Sequence, residues 1–139
     1  MYEYKFTRGG NFKDAALIRE LVFVKEQGFA NEFDEIDSLS WHLTVYDNGK
    51  PVAAARMYQK QADCYYLGRI AVLKEYRGKG LGRLVVNEML KKLKEMGIKN
   101  AELSAQVQAQ GFYEKLGFAA FGETYLDEHC PHIHMKKEL

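Results

Sequence analysis

Cysteine and proline are both scarce in this chain of 139 residues, with two of each. Cys64 and Cys130 stand apart with no framework spacing. That argues against a disulfide-stapled scaffold and for a reducing, cytoplasmic setting in which both thiols stay free. No apolar run is long enough to span a bilayer. Met1 is followed by Tyr-Glu-Tyr-Lys and not by a basic and then apolar stretch, so no signal segment is expected. A surplus of one charge is missing as well: 20 Lys and Arg face 19 Asp and Glu, for a formal net charge of +1. Nothing in that balance points to nucleic acid or a membrane surface as a partner, and any anion site has to be local. Repeats, low-complexity tracts and linkers are absent. What remains is ordinary for a soluble globular protein: 47% apolar and 28% charged residues, in a length that suits one core and one domain over residues 1–139.

The apolar pattern divides the chain into short elements. Met1 to Thr7 alternates and carries aromatic residues, which predicts a strand. Thr7 or Asn11 is placed to cap the helix that follows. On that helix Leu17, Leu21 and Val24 share one face, expected to be buried, while Arg19, Phe23 and Glu26 share the other. Gly28 suits a left-handed helix end. Residues 31–40 are acidic and read as a loop or short helix. Trp41–Tyr46 and Pro51–Tyr58 flank Asp47-Asn48-Gly49-Lys50, a strong turn signal, and so predict a hairpin. Cys64–Leu73 reads as a further strand. A glycine-rich turn then opens a helix with a buried stripe of Val86, Met89, Leu90 and Leu93, which Gly97 closes. Ala101–Ala105, Phe118–Leu126 and Ile133–Lys137 read as strands, and Gln108–Lys115 as a short helix. Antiparallel hairpins followed by strand-helix-strand-helix-strand predict a mixed α/β sheet covered by helices.

The turn is the first place where chemistry is written locally. Arg77-Gly78-Lys79-Gly80-Leu81-Gly82 lies between a strand and a helix. Glycines let the backbone approach a ligand closely, and the first amides of a helix have no internal partner and sit at its positive end. Together they make a pyrophosphate cradle, with Arg77, Lys79 and Arg83 adding positive charge. A turn that merely packs is the bland alternative. A P-loop is excluded because no Gly-Lys-Ser/Thr follows. A dinucleotide site wants Gly-x-Gly-x-x-Gly; the spacing here is Gly-x-Gly-x-Gly, although Glu102 lies where an acidic ribose partner would be sought.

Arg77-x-x-Gly80-x-Gly82 resembles the acyl-CoA signature of the GNAT superfamily. Gly68-Arg69-Ile70-Ala71-Val72 looks like that family's fourth strand. Gln106-x-x-Ala109-x-x-Phe112-Tyr113-Glu114-Lys115-Leu116-Gly117-Phe118 looks like its second motif, with Gln106 where Asn is usual. The earlier half is similar to the ElaA-like branch, through Arg19-x-x-Val22-Phe23-Val24-x-Glu26-Gln27, Asp34-x-x-Asp37, His42, Arg56 and the Pro131-His132-Ile133-x-Met135 ending. Acyl-homoserine-lactone synthases share a similar early pattern but are usually longer. The resemblance implies a GNAT fold, a central mixed and mostly antiparallel sheet flanked by helices, with acetyl-CoA as co-substrate and no metal. It implies that Ile70, Ala71 and Val72 hold the thioester and pantetheine. The turn, from Arg77, Gly78, Lys79, Gly80 and Leu81 to Gly82 and Arg83, would hold the pyrophosphate. Gln106, Ala109, Phe112 and Lys115 would complete the acyl-CoA side.

An amine attacking a thioester needs a polarised carbonyl, a neutral nitrogen and a proton for the departing thiolate. Tyr113 is the candidate acid, since a phenol near pKa 10 is close enough to a thiol for transfer. Taken alone, a buried structural tyrosine is the favoured reading; it is the resemblance of Tyr113-Glu114-Lys115-Leu116-Gly117-Phe118 to the family motif that implies the acid. The fourth strand carries no acid, so the base is sought among Glu26, His42, Asp37 and His132, each of which also has a plain surface or structural reading. The resemblance implies that the first helix and the loop after it wall the acceptor, with Arg19, Phe23, Asp34, Asp37, Arg56 and His132 as the expected residues. Phe23 between two charges suggests a helix that buries one face on the sheet and turns the other toward a pocket. His129, Cys130, His132 and His134 lack two-pair ligand spacing, and His132 and His134 share one strand face, so no metal is expected. The expected reaction is direct transfer of acetyl from acetyl-CoA to a primary amine of a small molecule or peptide. The alternatives are an acyltransferase with a specialised acceptor, as in lactone-signal synthesis, or an acyl-CoA-binding regulatory module. A homodimer is left open.

Overall fold

The computed structural model describes residues 2–139. Four strands, β1 (Tyr2–Arg8), β2 (Trp41–Asp47), β3 (Lys50–Gln61) and β4 (Cys64–Val72), form an antiparallel meander. β5 (Asn100–Gln106) joins β4 in parallel, and β6 (Ala119–Asp127) and β7 (Cys130–Glu138) complete one seven-stranded sheet in the order β1-β2-β3-β4-β5-β7-β6. The expected mixed, mostly antiparallel sheet is present; of the first strand's expected residues, Met1 lies outside the described range. The hairpin between β2 and β3 turns at Asn48 and Gly49, both with positive φ, as a two-residue turn of this type requires.

The sheet has two covered faces. On one lies α2 (Leu81–Glu95), whose Val85, Val86, Met89, Leu90 and Leu93 pack on Leu43, Val45, Met57, Leu67, Leu103 and Met135. Each such side chain contributes roughly 1.5–3 kcal/mol on burial. The short α3 (Gln110–Lys115) adds Tyr113 to this core. On the opposite face lies α1 (Lys13–Arg19), whose Ala15 and Ile18, with Val22 just beyond it, pack against Ala54, Ala71 and Leu73.

This second face corrects the helical reading. Leu17 and Leu21 are exposed, Val24 is half-buried, and Arg19 is completely buried. Two apolar stripes compete in this segment. The stripe of Ala15, Ile18 and Val22 carries Arg19 beside it, and only partners distant in sequence make that arginine burial tolerable. Neither Thr7 nor Asn11 caps the helix, because Phe12 occupies the cap position with no side-chain bond and Thr7 is paired in β1 opposite His42. From Glu20 to Glu26 the helix widens into a π-helix, with Gln27 N–H bonding Val22 O at 3.0 Å. The extra residue per turn keeps Phe23 and Gln27 on the same side as Arg19.

The feature that positions the site is a divergence. β4 and β5 pair only from Cys64↔Asn100 to Leu67↔Leu103, after which β4 follows β3 and β5 follows β7. The β5-facing edge of residues 68–72 is therefore without a neighbouring strand.

Candidate active site

The glycine turn sits at one end of this divergence. Gly78 and Gly80 have φ of +78° and +82°, and a Cβ built on either meets nothing within 4 Å. The left-handed Gly80 swings the chain into α2. The bond from Leu84 N–H to Gly80 O, at 3.0 Å, starts the helix, so the N–H groups of Leu81, Gly82 and Arg83 have no intrahelical partner and no side chain caps them. Gly82 is close-packed for another reason: a Cβ there would lie 3.3 Å from Phe112 Cζ. Donors, helix dipole and unobstructed approach fit a pyrophosphate. Lys79 and Arg83 are exposed beside it.

Arg77 is not free at that mouth. Its Nη1 and Nη2 donate to Glu26 at 2.6 and 2.7 Å, and its Nε donates to Val72 O at 3.0 Å. Glu26 is thus tied to the turn, and the Arg77 hydrogen bond holds its carboxyl below the usual range. The Val72 contact also orients the open edge. Leu73 N–H bonds Val52 O on β3 at 3.0 Å. By strand alternation Ala71 faces β3 as well, and the N–H of Val72 faces the divergence.

Beyond that edge lies a cavity of about 400 Å³. Tyr66, Gly68, Arg69 and Ile70 of β4 form one wall, and Ser104 and Gln106 of β5 form another. Tyr113 and Ala109 reach it from the α3 side. Phe23, Gln27, Phe29, Asn31 and Glu32 come from the π-helix and the loop after it, and Tyr125, Asp127, Glu128 and His132 from the β6–β7 hairpin. Gln106 Nε2 donates to Gln27 Oε1 at 2.8 Å, which ties β5 to the π-helix across the cavity. Burial alone pushes the Tyr113 phenol up to about 12. It therefore stays protonated throughout the physiological range and is a donor, never a base.

Arg69 is the extra residue of a bulge, because Arg56 pairs with Gly68 but Ala54 pairs with Ala71. Its φ of +52° is unusual for a residue with a Cβ. A charge network holds it there. Arg69 Nε donates to Glu32 O at 3.1 Å and lies 3.0 Å from Glu32 Oε2. Arg19 bonds the same Oε2 at 2.9 Å, Glu32 O at 3.1 Å, and both oxygens of Asp37 at 2.7 and 3.2 Å. Arg56 bonds Asp37 at 2.9 Å and Asp34 at 2.7 and 3.2 Å. Three guanidinium groups thus meet three carboxylates. Burial draws Asp37 upward, but Arg19 and Arg56 outweigh it and hold its carboxyl below the usual range; for Glu32 burial prevails and the carboxyl is raised.

The expected acceptor wall is therefore only partly on the cavity. Phe23 and His132 line it. Arg19, Asp37 and Arg56 are buried and bonded to one another, behind Glu32 and Arg69. Asp34 is bound to Arg56 and caps the 3-10 helix Glu35–Leu39. His42 does not line the cavity: it is fully buried, stacked on Phe12 with ring centroids 4.3 Å apart, with Nε2 donating to Asp37 O at 2.9 Å. Burial lowers its pKa. Of the residues expected to bind acyl-CoA, Ile70, Gln106 and Ala109 line the cavity, while Phe112 lies against Gly82 and Lys115 is exposed. The sequence reading missed Glu32, Tyr66, Ser104, Tyr125 and Glu128 as wall residues. Strand alternation was the available signal for Tyr66, Ser104 and Tyr125, since they share one sheet face with His132; nothing local marks Glu32. Among the described residues no group of three or more His, Cys, Asp or Glu could hold a metal, and no helix is long and apolar enough to cross a membrane.

The chain matches the family model described as an acetyltransferase (GNAT) domain over residues 14–139. It is 42% identical over 130 residues to an uncharacterized N-acetyltransferase of Bacillus subtilis, YjcF, covering 91% of each chain. It is 30% identical over 128 residues to the protein ElaA of Escherichia coli, covering 88% of this chain and 84% of ElaA. The crystal structure of Escherichia coli ElaA aligns with a TM-score of 0.90 and 26% identity, over 99% of this chain and 100% of that one. A Bacillus subtilis acetyltransferase solved in complex with CoA shares the fold, with a TM-score of 0.77 and 15% identity over 100% and 99% of the two chains.

Proposed function

The chain belongs to the GNAT acetyltransferase family, in its ElaA-like branch, and on that premise we propose that it transfers acetyl from acetyl-CoA directly to a primary amine of a small molecule or peptide. The observation that carries this reading is the open edge of residues 68–72. It runs from the glycine turn to a cavity in which Tyr113 presents the one phenol that burial keeps protonated without a charged partner.

In this reading the pyrophosphate sits on the amides of Leu81, Gly82 and Arg83, and the pantetheine lies along β4 as an added strand. The edge amides, Val72 among them, position the thioester carbonyl and stabilise the charge that develops on its oxygen. The amine nitrogen bonds to the acyl carbon, the carbon–sulfur bond breaks, and the thiolate takes the Tyr113 proton. Acetyl-CoA enters on the α2 side of the sheet. The acceptor enters on the α1 side, where Phe23, Phe29, Tyr66 and Tyr125 give an apolar, aromatic lining and Glu32, Asp127 and Glu128 supply negative charge. That lining suits a compact amine with an aromatic or aliphatic body. Arg19, Asp37, Arg56 and His42 serve the site from behind, by fixing the loop that carries Glu32 and the bulge that carries Arg69. Free thiols at Cys64 and Cys130 fit a cytoplasmic, reducing setting.

Thiol release from acetyl-CoA, followed with a panel of small amines and N-terminal peptides, tests the reading. Acetylated product with one or more amines is the expected result. Tight acetyl-CoA binding with no thiol release from any amine would instead make the chain a regulatory binding module. Product from homoserine lactone alone would favour the specialised acceptor.

A further inference from the structure

The proposed reaction leaves one step without an owner. An alkylamine reaches the site as its ammonium ion, and some group has to take a proton before or during attack. Every charged or titratable group facing the cavity can be asked whether it has a lone pair to give. Arg69 has none. Glu32 is anchored through Oε2 to two guanidinium groups, at 2.9 and 3.0 Å, and only its Oε1 is left without a partner. Glu128 accepts the N–H groups of Ala30 and Asn31 at 2.9 and 3.0 Å, which holds its carboxyl low. Asp127 stands on the exposed rim. The phenols of Tyr66 and Tyr113 are raised by burial, and the Tyr125 hydroxyl is engaged with Ser104.

His132 differs from all of these. It is buried, with 7% of its surface accessible, and it lines the cavity between the rings of Phe29 and Tyr125, at centroid distances of 6.5 and 6.0 Å. Its Nδ1 lies 2.9 Å from Cys130 O. A carbonyl oxygen only accepts, so Nδ1 carries the hydrogen and Nε2 of the neutral ring carries the lone pair. The backbone thus fixes the tautomer. The register puts the residue where it is needed: His132 pairs with Gln106, three residues beyond Leu103, where β5 parts from β4.

Resting on the acetyl-transfer reading, we propose that His132 is the general base of this enzyme, taking a proton from the attacking amine on Nε2. The balance closes as follows. The ammonium gives one proton to Nε2, and the neutral nitrogen so formed makes the carbon–nitrogen bond; the carbon–sulfur bond breaks and the thiolate takes the Tyr113 proton; the second proton of the nitrogen passes to water. Imidazolium and phenolate then return to their resting forms by proton exchange with solvent.

The tautomer is measured first, because it needs no acceptor. In the unliganded protein, nitrogen-15 NMR of the neutral His132 ring is expected to show hydrogen on Nδ1 alone. Hydrogen on Nε2 overturns the proposal whatever the protein acetylates. Kinetics come second, with His132→Ala and with His132→Asn, whose amide keeps a donor to Cys130 O but removes Nε2. Two probes of similar shape differ in basicity: benzylamine is an ammonium at neutral pH and phenylhydrazine is largely neutral. Both variants are expected to lose about 10²–10⁴-fold in kcat/KM with benzylamine. The loss with phenylhydrazine should be less than about tenfold, and acetyl-CoA affinity by calorimetry should be unchanged. Equal losses with the two probes, or none with benzylamine, overturn the proposal. A wild-type protein that releases no thiol with any amine fails the acetyl-transfer reading instead, and the tautomer still decides His132.

Discussion

The two sides of the cleft are built on opposite principles. On the side proposed for acyl-CoA the parts are contiguous in the chain: a strand edge, a turn with left-handed glycines and the first amides of α2 follow one another within residues 68–83. Backbone geometry does the work, and few side chains are committed. On the side proposed for the acceptor the parts come from β4, β5, the π-helix, its following loop and the β6–β7 hairpin, held by side-chain contacts between residues far apart in sequence, Arg56 of β3 among them. A shared ligand such as a coenzyme suits the first construction. The second permits a changed acceptor with the coenzyme site left alone. The network of Arg19, Arg56, Arg69, Glu32, Asp34 and Asp37 is the joint between the two sides, because it grips the bulged residue on the same strand that carries the open edge.

The sharpest way to break this contrast is to remove the centre of that joint. Asp37→Ala strips Arg19 and Arg56 of a shared partner inside the protein, and the cost is about 3–5 kcal/mol of unfolding free energy. Denaturant unfolding should show it as a lower midpoint. Asp34→Ala, at a partly exposed carboxylate, should cost well under half as much. Asp37 also gives the comparison a pH signature. Its folded pKa lies below its ordinary value of 3.8, so the unfolded chain binds the proton first. The stabilisation is complete above that value and is lost as pH falls through the folded pKa. Wild type should therefore lose stability on acidification in that window more steeply than the Asp37→Ala variant. Equal slopes would detach Asp37 from the network's energetics.

Legibility follows the same division. The turn, α2 with its stripe of Val86, Met89, Leu90 and Leu93, the hairpin at Asn48-Gly49 and the placement of Tyr113 can be read from sequence, because each is written within one turn or one periodic run. Arg19 could not be read that way. Its partners stand 13 and 18 residues on, and without them a buried arginine is the least favourable interpretation of a helix. That choice sent Leu17 and Leu21 to the wrong face. The π-helix compounds it, since a 3.6-residue period cannot describe residues 20–26. His132 was visible as a polar residue on one strand face, but its tautomer depends on the bend that brings Cys130 O to Nδ1.

On the acyl-CoA side the expected effects act on binding and turnover. Gly80→Val forces a β-branched residue to φ of +82° and puts its bulk in the space a pyrophosphate needs; acetyl-CoA affinity by calorimetry should fall below detection, with a stability loss of about 1–3 kcal/mol from the strain. Unchanged affinity would remove the turn from the site. Tyr113→Phe keeps the ring and removes the proton. A phenol near 12 lies roughly three units above an ordinary thiol, so full transfer is uphill and the loss in kcat should sit near the lower end of acid catalysis, about 10²-fold. The rate should also show no titration of Tyr113 below about pH 10. A wild-type kcat in the variant, with chemistry limiting, would return Tyr113 to a packing role.

The smallest expected effect probes a strap that crosses between the two sides, Glu26 on Arg77. Both groups are over a third exposed, so the pair is worth roughly 0.2–1 kcal/mol despite contacts of 2.6 and 2.7 Å. Arg77 cannot give both Nη groups to Glu26 and also serve a pyrophosphate at the turn. Acyl-CoA binding therefore competes with the pair, and Glu26→Gln should tighten acetyl-CoA binding by up to about fivefold at low salt. The gain should shrink as ionic strength rises, because exposed charges are screened. Linkage has a definite sign as well. The carboxyl is held below its ordinary value of 4.5, so its small stabilisation is present above that pH and fades as pH falls through the folded value; the Gln variant lacks that contribution. Two other outcomes carry information. Weaker acetyl-CoA binding would mean that Glu26 aims Arg77 at the phosphates. Unchanged acetyl-CoA binding with a raised acceptor KM or a lowered kcat would move Glu26 to the acceptor side, among the groups that handle the amine.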